Sequence, residues 1–397
     1  EYVRSCYTKK GWKDTVEPTN EKFGEEGSLF NHQAHLPGAM ATWYRLTNNK
    51  QALRLAGELV RFYTKPKFWA DWKGGEYPGV VGAEHAHWQG HFHGYANVLR
   101  AILDYAVATQ DARLMAFVRD GYEWARQSGF ARIGLVGDGQ GCGCGRLIGL
   151  AVKLSLTGVG DYWEDVDQYI RNQGIEMQIV PEDVEYLKKV SSQGKKPPEK
   201  LGRFITERVI ERSIGGFAGH LAKDVCWLCC SPHGNMGFFY AWDGALRYDD
   251  GVARVNLLLN RASPWLDVDS YLPYEGKVVL KNKTAKELYV RIPLWVDQKA
   301  VRCTLDKQET AKAWFGNYLR FRNLKSETVL TIQFPLTETT EQWKVDLGSG
   351  AKTYTCRFKG NTLVEISPPL VEEGALYARR AQFLKNEAPM KKVSRYV

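Results

Sequence analysis

Five of the eight cysteines in this 397-residue chain fall into two knots. One is Gly141-Cys142-Gly143-Cys144-Gly145; the other is Cys226-Trp227-Leu228-Cys229-Cys230. Cys6, Cys303 and Cys356 stand alone. Disulfide frameworks belong mostly to small secreted domains, and a chain this long does not need one. Clustered thiols in a large protein point first to a metal. Zinc seeks four N or S ligands at the corners of a tetrahedron. A Cys-x-Cys pair flanked by glycines can bend around an ion, and a vicinal Cys-Cys can add two thiolates through a sharp local turn. Buried free thiols and a redox pair are the alternatives, but five thiols in two knots are hard to explain as core filler.

Six of the eight histidines also cluster: His32 and His35, then His85, His87, His91 and His93, with Glu84 as a carboxylate in the second stretch. Each stretch stands just before or at the start of a helix read from the sequence. Histidines gathered at helix starts can hydrogen-bond sugar hydroxyls, bind metal, or serve as satisfied structural groups.

The elements that must position these residues are helical up to about residue 245. Apolar residues recur at helical spacing in Leu36–Leu46, Gln51–Tyr63, Tyr95–Ala106, Leu114–Trp124, Leu147–Leu156 and Trp163–Ile170. Short turns join these segments in pairs, which suggests a stacked or toroidal α/α array. A seventh helix is expected over Asn235–Leu246. Residues 181–215 are polar and interrupted by Lys195-Lys196-Pro197-Pro198, which reads as a loop. After Gly251 the pattern turns to β-rich runs: Arg254–Leu259, Lys277–Lys281, Glu287–Ile292, Tyr318–Phe321 and Val329–Phe334. The expected fold class is α+β and multidomain. A helical catalytic domain covers 1–250, a β-sandwich 251–344 and a small β-rich module 345–397.

Composition narrows the partners. The formal charge of +9 is scattered, apart from Lys195, Lys196 and Lys200, so it reads as solvated surface and not as a nucleic-acid footprint. It leaves acidic glycans open as substrates. Thirteen tryptophans and twenty tyrosines suit ring stacking on sugars, although core packing accounts for most of them. No apolar run of the length of a membrane span (~18 residues) occurs, so no membrane partner is expected. The chain starts at Glu1 without a signal-peptide pattern. An export signal has been removed, or the sequence is a fragment, and the compartment stays open between a bacterial periplasm and cytoplasm.

The order of these features resembles the β-L-arabinofuranosidase family of glycoside hydrolases and its uncharacterised relatives. The resemblance rests on histidines at helix starts, a Gly-rich cysteine turn, Cys229-Cys230-Ser231-Pro232-His233-Gly234-Asn235, and a following β-sandwich. The segments 158–172, Leu272-Pro273-Tyr274-Glu275-Gly276 and Arg291-Ile292-Pro293-Leu294-Trp295 are also similar to that group. It runs from about Phe30 to the C-terminus. It implies a six-hairpin (α/α) barrel followed by β domains. Only about half of the hairpins are visible here, so a missing N-terminal half or a second chain is expected to complete the barrel.

The resemblance also implies the chemistry: retaining, exo-acting hydrolysis of a terminal β-L-arabinofuranose-like sugar from a glycan. Cys229 takes the place of the thiol that attacks the anomeric carbon, while Cys230 and Cys142 take those of zinc ligands. The family's second-step water attack then follows the two-step logic of retaining glycosidases. Where the family has a glutamate in the cysteine turn, this chain has Gln140. A neutral amide is a poor zinc ligand. Cys144 is therefore expected to fill the vacancy, giving a Zn2+ site of Cys142, Cys144, Cys229 and Cys230. The family's acid/base glutamate also lacks a clear counterpart, and Asp138 is the nearest carboxylate. His35 and His91 fall on sugar-contacting positions, Asp167 near an acidic contact, and His93 and Glu84 lie in the same histidine stretch. Two other readings compete: a zinc-containing carbohydrate-binding relative without the acid, and a polysaccharide lyase on the same toroid.

Overall fold

The computed structural model describes residues 34–64, 68, 69, 88, 92–137, 139–193, 208–223, 229–347, 350–371 and 376–394. Helices dominate up to Ala245 and strands dominate afterwards. Four helices form an inner layer in which each packs on the next: α1 (Leu36–Thr47), α3 (Phe92–Thr109), α5 (Gly141–Leu156) and α9 (Cys230–Ala245). The outer partners α2 (Lys50–Tyr63), α4 (Ala112–Arg126) and α6 (Trp163–Tyr169) each follow the inner helix they pack on. Two short helices, α7 (Val184–Gln193) and α8 (Val209–Ser213), lie between α6 and α9 in the chain. A small antiparallel pair, β1 (Gly129–Phe130) and β2 (Leu135–Val136), links α4 to α5.

The turns between hairpin partners follow from local chemistry. Asn48 ends α1 in the left-handed conformation at φ 58°, and the Asn49 side chain caps α2 by accepting from the Gln51 and Ala52 amides. Asp111 caps α4 in the same way through the Leu114 amide. The inner helices α3 and α5 are buried over most of their surface, whereas α2 and α4 bury one stripe.

Helices α5 and α9 cross closely because glycine faces glycine. A side chain on Gly145 would run into the His233 carbonyl oxygen, and one on Gly237 would sit 2.6 Å from the Gly145 Cα. A glycine inside a helix costs about 1 kcal/mol against alanine. Here the approach of two backbones offsets that cost, and the first turns of α5 and α9 arrive side by side.

Helix α9 runs directly into β3 (Leu246–Asp249). This strand forms one edge of a five-stranded sheet. The sheet continues inward through Val252–Val255 (β4), Glu287–Arg291 (β7), Tyr318–Arg322 (β11) and Ala313–Phe315 (β10). The β4–β7 pair is parallel and the other pairs antiparallel. A second five-stranded sheet runs, in spatial order, Leu266–Ser270 (β5), Lys277–Asn282 (β6), Val329–Gln333 (β12), Arg302–Leu305 (β8) and Gln308–Glu309 (β9). Alternating residues such as Val278, Leu280, Leu330, Ile332, Val290 and Leu319 point into one shared core.

A third sheet of Glu338–Asp346 (β13), Ala351–Lys359 (β14) and Thr362–Ser367 (β15) does not stand apart. Tyr354, Cys356, Phe358 and Leu363 share a core with Cys142, Phe130, Met177, Phe217 and Cys230. Asn361 ties the two units together, donating to Glu164 Oε1 at 2.7 Å and Asp167 Oδ2 at 2.9 Å and accepting from Arg132 at 2.9 Å.

Several elements differ from the sequence reading. Helix α9 begins at Cys230, five residues before the expected Asn235. Pro232 and Gly234 look like breakers, but proline needs no amide partner in a first turn, and Gly234 packs against Phe217. The stretch 181–215 contains α7 and α8 on either side of residues that are not described. The strand expected over Arg254–Leu259 is Val252–Val255. Residue 250 lies in the β3–β4 turn, and 344 lies inside β13. The helical core and the two-sheet core meet at Ala245–Leu246, close to the first boundary, and the two-sheet core ends at Phe334, ahead of the second.

Candidate active site and metal centre

The first turns of α5 and α9 bring three thiols together. Cys142 is the second residue of α5, Cys230 opens α9 and Cys229 immediately precedes it. The Sγ atoms of Cys142, Cys229 and Cys230 all lie within 4.8 Å of one another. Cys230 and Cys142 are 3.3 Å apart, and Cys229 and Cys230 are 3.9 Å apart. Three corners of a thiolate tetrahedron with ~2.3 Å zinc bonds are about 3.8 Å apart. The three sulfurs are therefore close enough to one another to hold a metal ion.

Electrostatics agrees with that fit. Contacts with Cys229 and Cys230, together with burial, push the Cys142 thiol far above the usual thiol range. Three thiols so close cannot all ionise without a cation between them. Two helix N-termini aimed at the knot favour negative sulfur once a cation is present. Gln140 Oε1 accepts from the Cys142 thiol at 3.3 Å.

Cys144 is not part of this group. The sequence reading placed it in a turn around the metal, but it lies on α5, where two residues turn the side chain by about 200°. It faces the helical core with Leu147 and Leu150, and burial there raises its thiol to about 12. Of the four cysteines expected to share a metal, the described residues group three.

Cys142 and Cys230 are fully buried, while Cys229 is half-buried and opens onto a cavity of about 410 Å³. His35, His93, Asn97 and Arg100 line one side, and Arg146, His233 and Tyr240 the other. These residues come from the first turns of the four inner helices and the turns that follow. The His93 and His233 rings stack at 4.3 Å, and Arg146 Nε donates to His93 Nε2 at 3.3 Å. The Arg100 guanidinium lies 4.2 Å over the Tyr240 ring. Burial, and then the nearby Arg146 charge, lower the His35 pKa, so its imidazole is neutral at pH 7.

The remaining expected site residues fare differently. His35 and His93 stand in the cavity wall. Asp167 does not; it is buried between α6 and the third sheet, accepting from Arg171 at 2.8 Å and from Asn361. Its carboxylate is a joint between units and does not line the Cys229 cavity. Glu84, His91 and Asp138 lie outside the described residues.

Asn97, Arg100, Arg146, His233 and Tyr240 carried no role in the sequence reading. Helical spacing connects them to residues that did. Arg146 follows Cys142 by one helical turn, and His233 follows Cys229 likewise. Asn97 and Arg100 repeat the face of His93 at i+4 and i+7, and Tyr240 repeats that of His233.

No family model and no curated protein sequence matches this chain. Solved structures do. A GH127 beta-L-arabinofuranosidase from Geobacillus stearothermophilus T6 superposes with a TM-score of 0.52 at 16% identity, over 82% of this chain and 57% of the other. A structure described as a glycoside hydrolase gives 0.56 at 14% identity, over 88% and 62%. A GH127 beta-arabinofuranosidase gives 0.57 at 13% identity, over 83% and 55%. The chain spans less than two thirds of the length of each of the three. At these identities the likeness establishes a shared fold.

Proposed function

We propose that this chain carries the reaction centre of a retaining, exo-acting glycoside hydrolase that removes a terminal β-L-arabinofuranose-like sugar, with Cys229 as nucleophile. The observation that supports this reading is the division of labour among three adjacent thiols. Two are buried, and the third opens onto a polar cavity. Cys142, Cys229 and Cys230 would hold a zinc ion, whose charge keeps their sulfurs ionised at neutral pH when it is bound.

The chain's own residues supply the rest. Cys229 Sγ attacks the anomeric carbon, the bond to the leaving oxygen breaks, and a glycosyl thioether forms on Cys229. Water then displaces the sulfur with a second inversion, so configuration is retained. Neutral His35, together with Asn97 and His233, presents hydrogen-bonding groups to sugar hydroxyls. The proton for the leaving oxygen is assigned to Asp138, four residues before Cys142 in the sequence.

The hairpins α1–α2, α3–α4 and α5–α6 are read as one arc of an (α/α) barrel. The edge helices α1 and α9 expose Trp43, Leu46, Phe239 and Trp242, which suits completion of the arc by further chain or by a second polypeptide. A zinc-containing sugar-binding protein is the second reading. It is favoured by the absence of any carboxylate from the cavity wall among the described residues. Turnover of 4-nitrophenyl β-L-arabinofuranoside separates the two. A hydrolase releases nitrophenol and accumulates a sugar adduct on Cys229 in mass spectrometry. Sugar binding without either product would leave the second reading standing.

A further inference from the structure

Two half-buried arginines stand in the wall of the Cys229 cavity, which has no carboxylate among its described lining residues. Neither Arg100 nor Arg146 pairs with a carboxylate among the described residues. Arg100 rests on the Tyr240 ring, and its Nε is buried with no hydrogen-bond partner. Arg146 donates to His93 and is hydrogen-bonded to the Tyr240 side chain, and neither is a carboxylate. The two charges repel: burial, and with it the Arg100 charge, lower the pKa of Arg146 against the opposing pull of Tyr240 and Cys142, and the Arg146 charge acts in turn on His35. A neighbouring cavity of about 440 Å³ shares His35, Asn97 and Arg100, but its one carboxylate, Asp104, is already paired with Lys153 and Arg45. Half-buried cations with no carboxylate beside them are costly, and such groups gather where a ligand brings an opposite charge. A guanidinium matches a planar or tetrahedral oxyanion through paired N–H donors.

We propose that the Cys229 cavity takes a glycan whose sugar carries an oxyanion, a carboxylate or a sulfate, held by Arg100 and Arg146. This rests on the hydrolase reading above for the role of Cys229 and adds the substrate class. A neutral arabinofuranoside would fill the cavity but bring no charge to the two guanidinium groups.

The test uses alkylation of Cys229, which needs no turnover. Iodoacetate and iodoacetamide differ by one charge. Their rates on Cys229 are compared with their rates on glutathione. The cationic wall should raise the iodoacetate-to-iodoacetamide ratio about tenfold over that of glutathione, and high salt should erase the gain. Arg100→Gln and Arg146→Gln should each lower the ratio, while Arg100→Lys should keep most of it. Saturation-transfer NMR gives an independent readout with D-galacturonate, D-galactose 6-sulfate and neutral D-galactose. Binding of an acidic sugar above D-galactose supports the proposal, and the one that binds identifies the anion. Equal binding of all three, or a ratio equal to that of glutathione, overturns it. Hydrolysis of nitrophenyl furanosides by a protein without anion preference would sink this proposal alone. An anion preference without hydrolysis would sink the hydrolase reading alone.

Discussion

At the scale of single residues, what matters is which way each sulfur faces. Cys229→Ser should abolish turnover, lowering kcat at least about 10³-fold, because a hydroxyl is a far weaker nucleophile than a thiolate. The variant should still fold, since Cys229 is the half-buried thiol of the three. Full activity in this variant would end the cysteine mechanism. Asp138→Asn should slow natural glycosides far more than nitrophenyl substrates, which leave with little protonation. Equal loss on both would remove Asp138 from the role. The two cysteine knots were legible in the sequence because five thiols in so few positions demand an explanation. The facing of Cys144 was not legible, because the Gly-rich segment looks like a turn and is in fact the opening of α5. Arg100 and Arg146 looked like two more solvated charges among 54 lysines and arginines. Their loss of solvent follows from packing among α3, α5 and α9, which no local spacing announces.

At the scale of elements, the α5–α9 crossing holds the thiols together. Gly145→Ala should destabilise the protein, since overpacking costs about 1–3 kcal/mol and exceeds the helix propensity gained. It should also loosen the thiol knot, seen as lower zinc retention during dialysis. Gly143→Ala is the control; its added carbon would meet Phe92 at 3.3 Å, a side chain with some room to yield. Equal behaviour of the two variants would contradict the crossing. A second element-scale prediction concerns pH. Asp165 of α6 pairs with Arg126 of α4 at 2.7 Å and accepts from Tyr122 at 2.8 Å. Burial nevertheless outweighs both partners and raises its pKa from 3.8 to about 6. A carboxyl with a raised folded pKa stabilises the fold below its unfolded pKa. That contribution is lost as pH rises through the folded value. Stability due to this group should thus fall between about pH 4 and 6. Melting curves of Asp165→Asn should lack this component of the pH slope, and an unchanged slope would refute the assignment. The helical hairpins themselves were readable from periodicity and turn residues. The start of α9 was not, because Pro232 and Gly234 signal a break until the neighbouring helix is in place.

At the scale of the whole molecule, the C-terminal sheet is part of the site. The sequence shows β-rich runs after Val345 but cannot show what they pack on, because sheet packing is set by partners more than 200 residues away, such as Phe130 against Trp343. On the proposed reading, removal of a metal held by the knot should therefore cost stability as well as activity. Zinc analysis should find one ion per chain in protein purified without chelators. Chelation should then lower the melting temperature by roughly 2–4 °C for each kcal/mol of coupling between metal and fold. A melting temperature indifferent to chelators would show that the knot is not a metal centre.

The shared core of Cys142, Cys230 and the third sheet also sets an order of events during synthesis. The ribosome delivers the first knot, the second knot and finally the sheet. Until Leu363 has emerged, the thiols lack the apolar wall behind them, and long-range closure of this kind comes late in folding. A nascent chain would thus expose reactive sulfur for much of its translation, at the stage when oxidants and stray metals compete with the proper ion. Chains arrested at Leu336, just before β13, should label with maleimide at Cys142 and Cys230, and released full-length chains should resist it. Resistance in the arrested chains would mean that the knot closes without its backing.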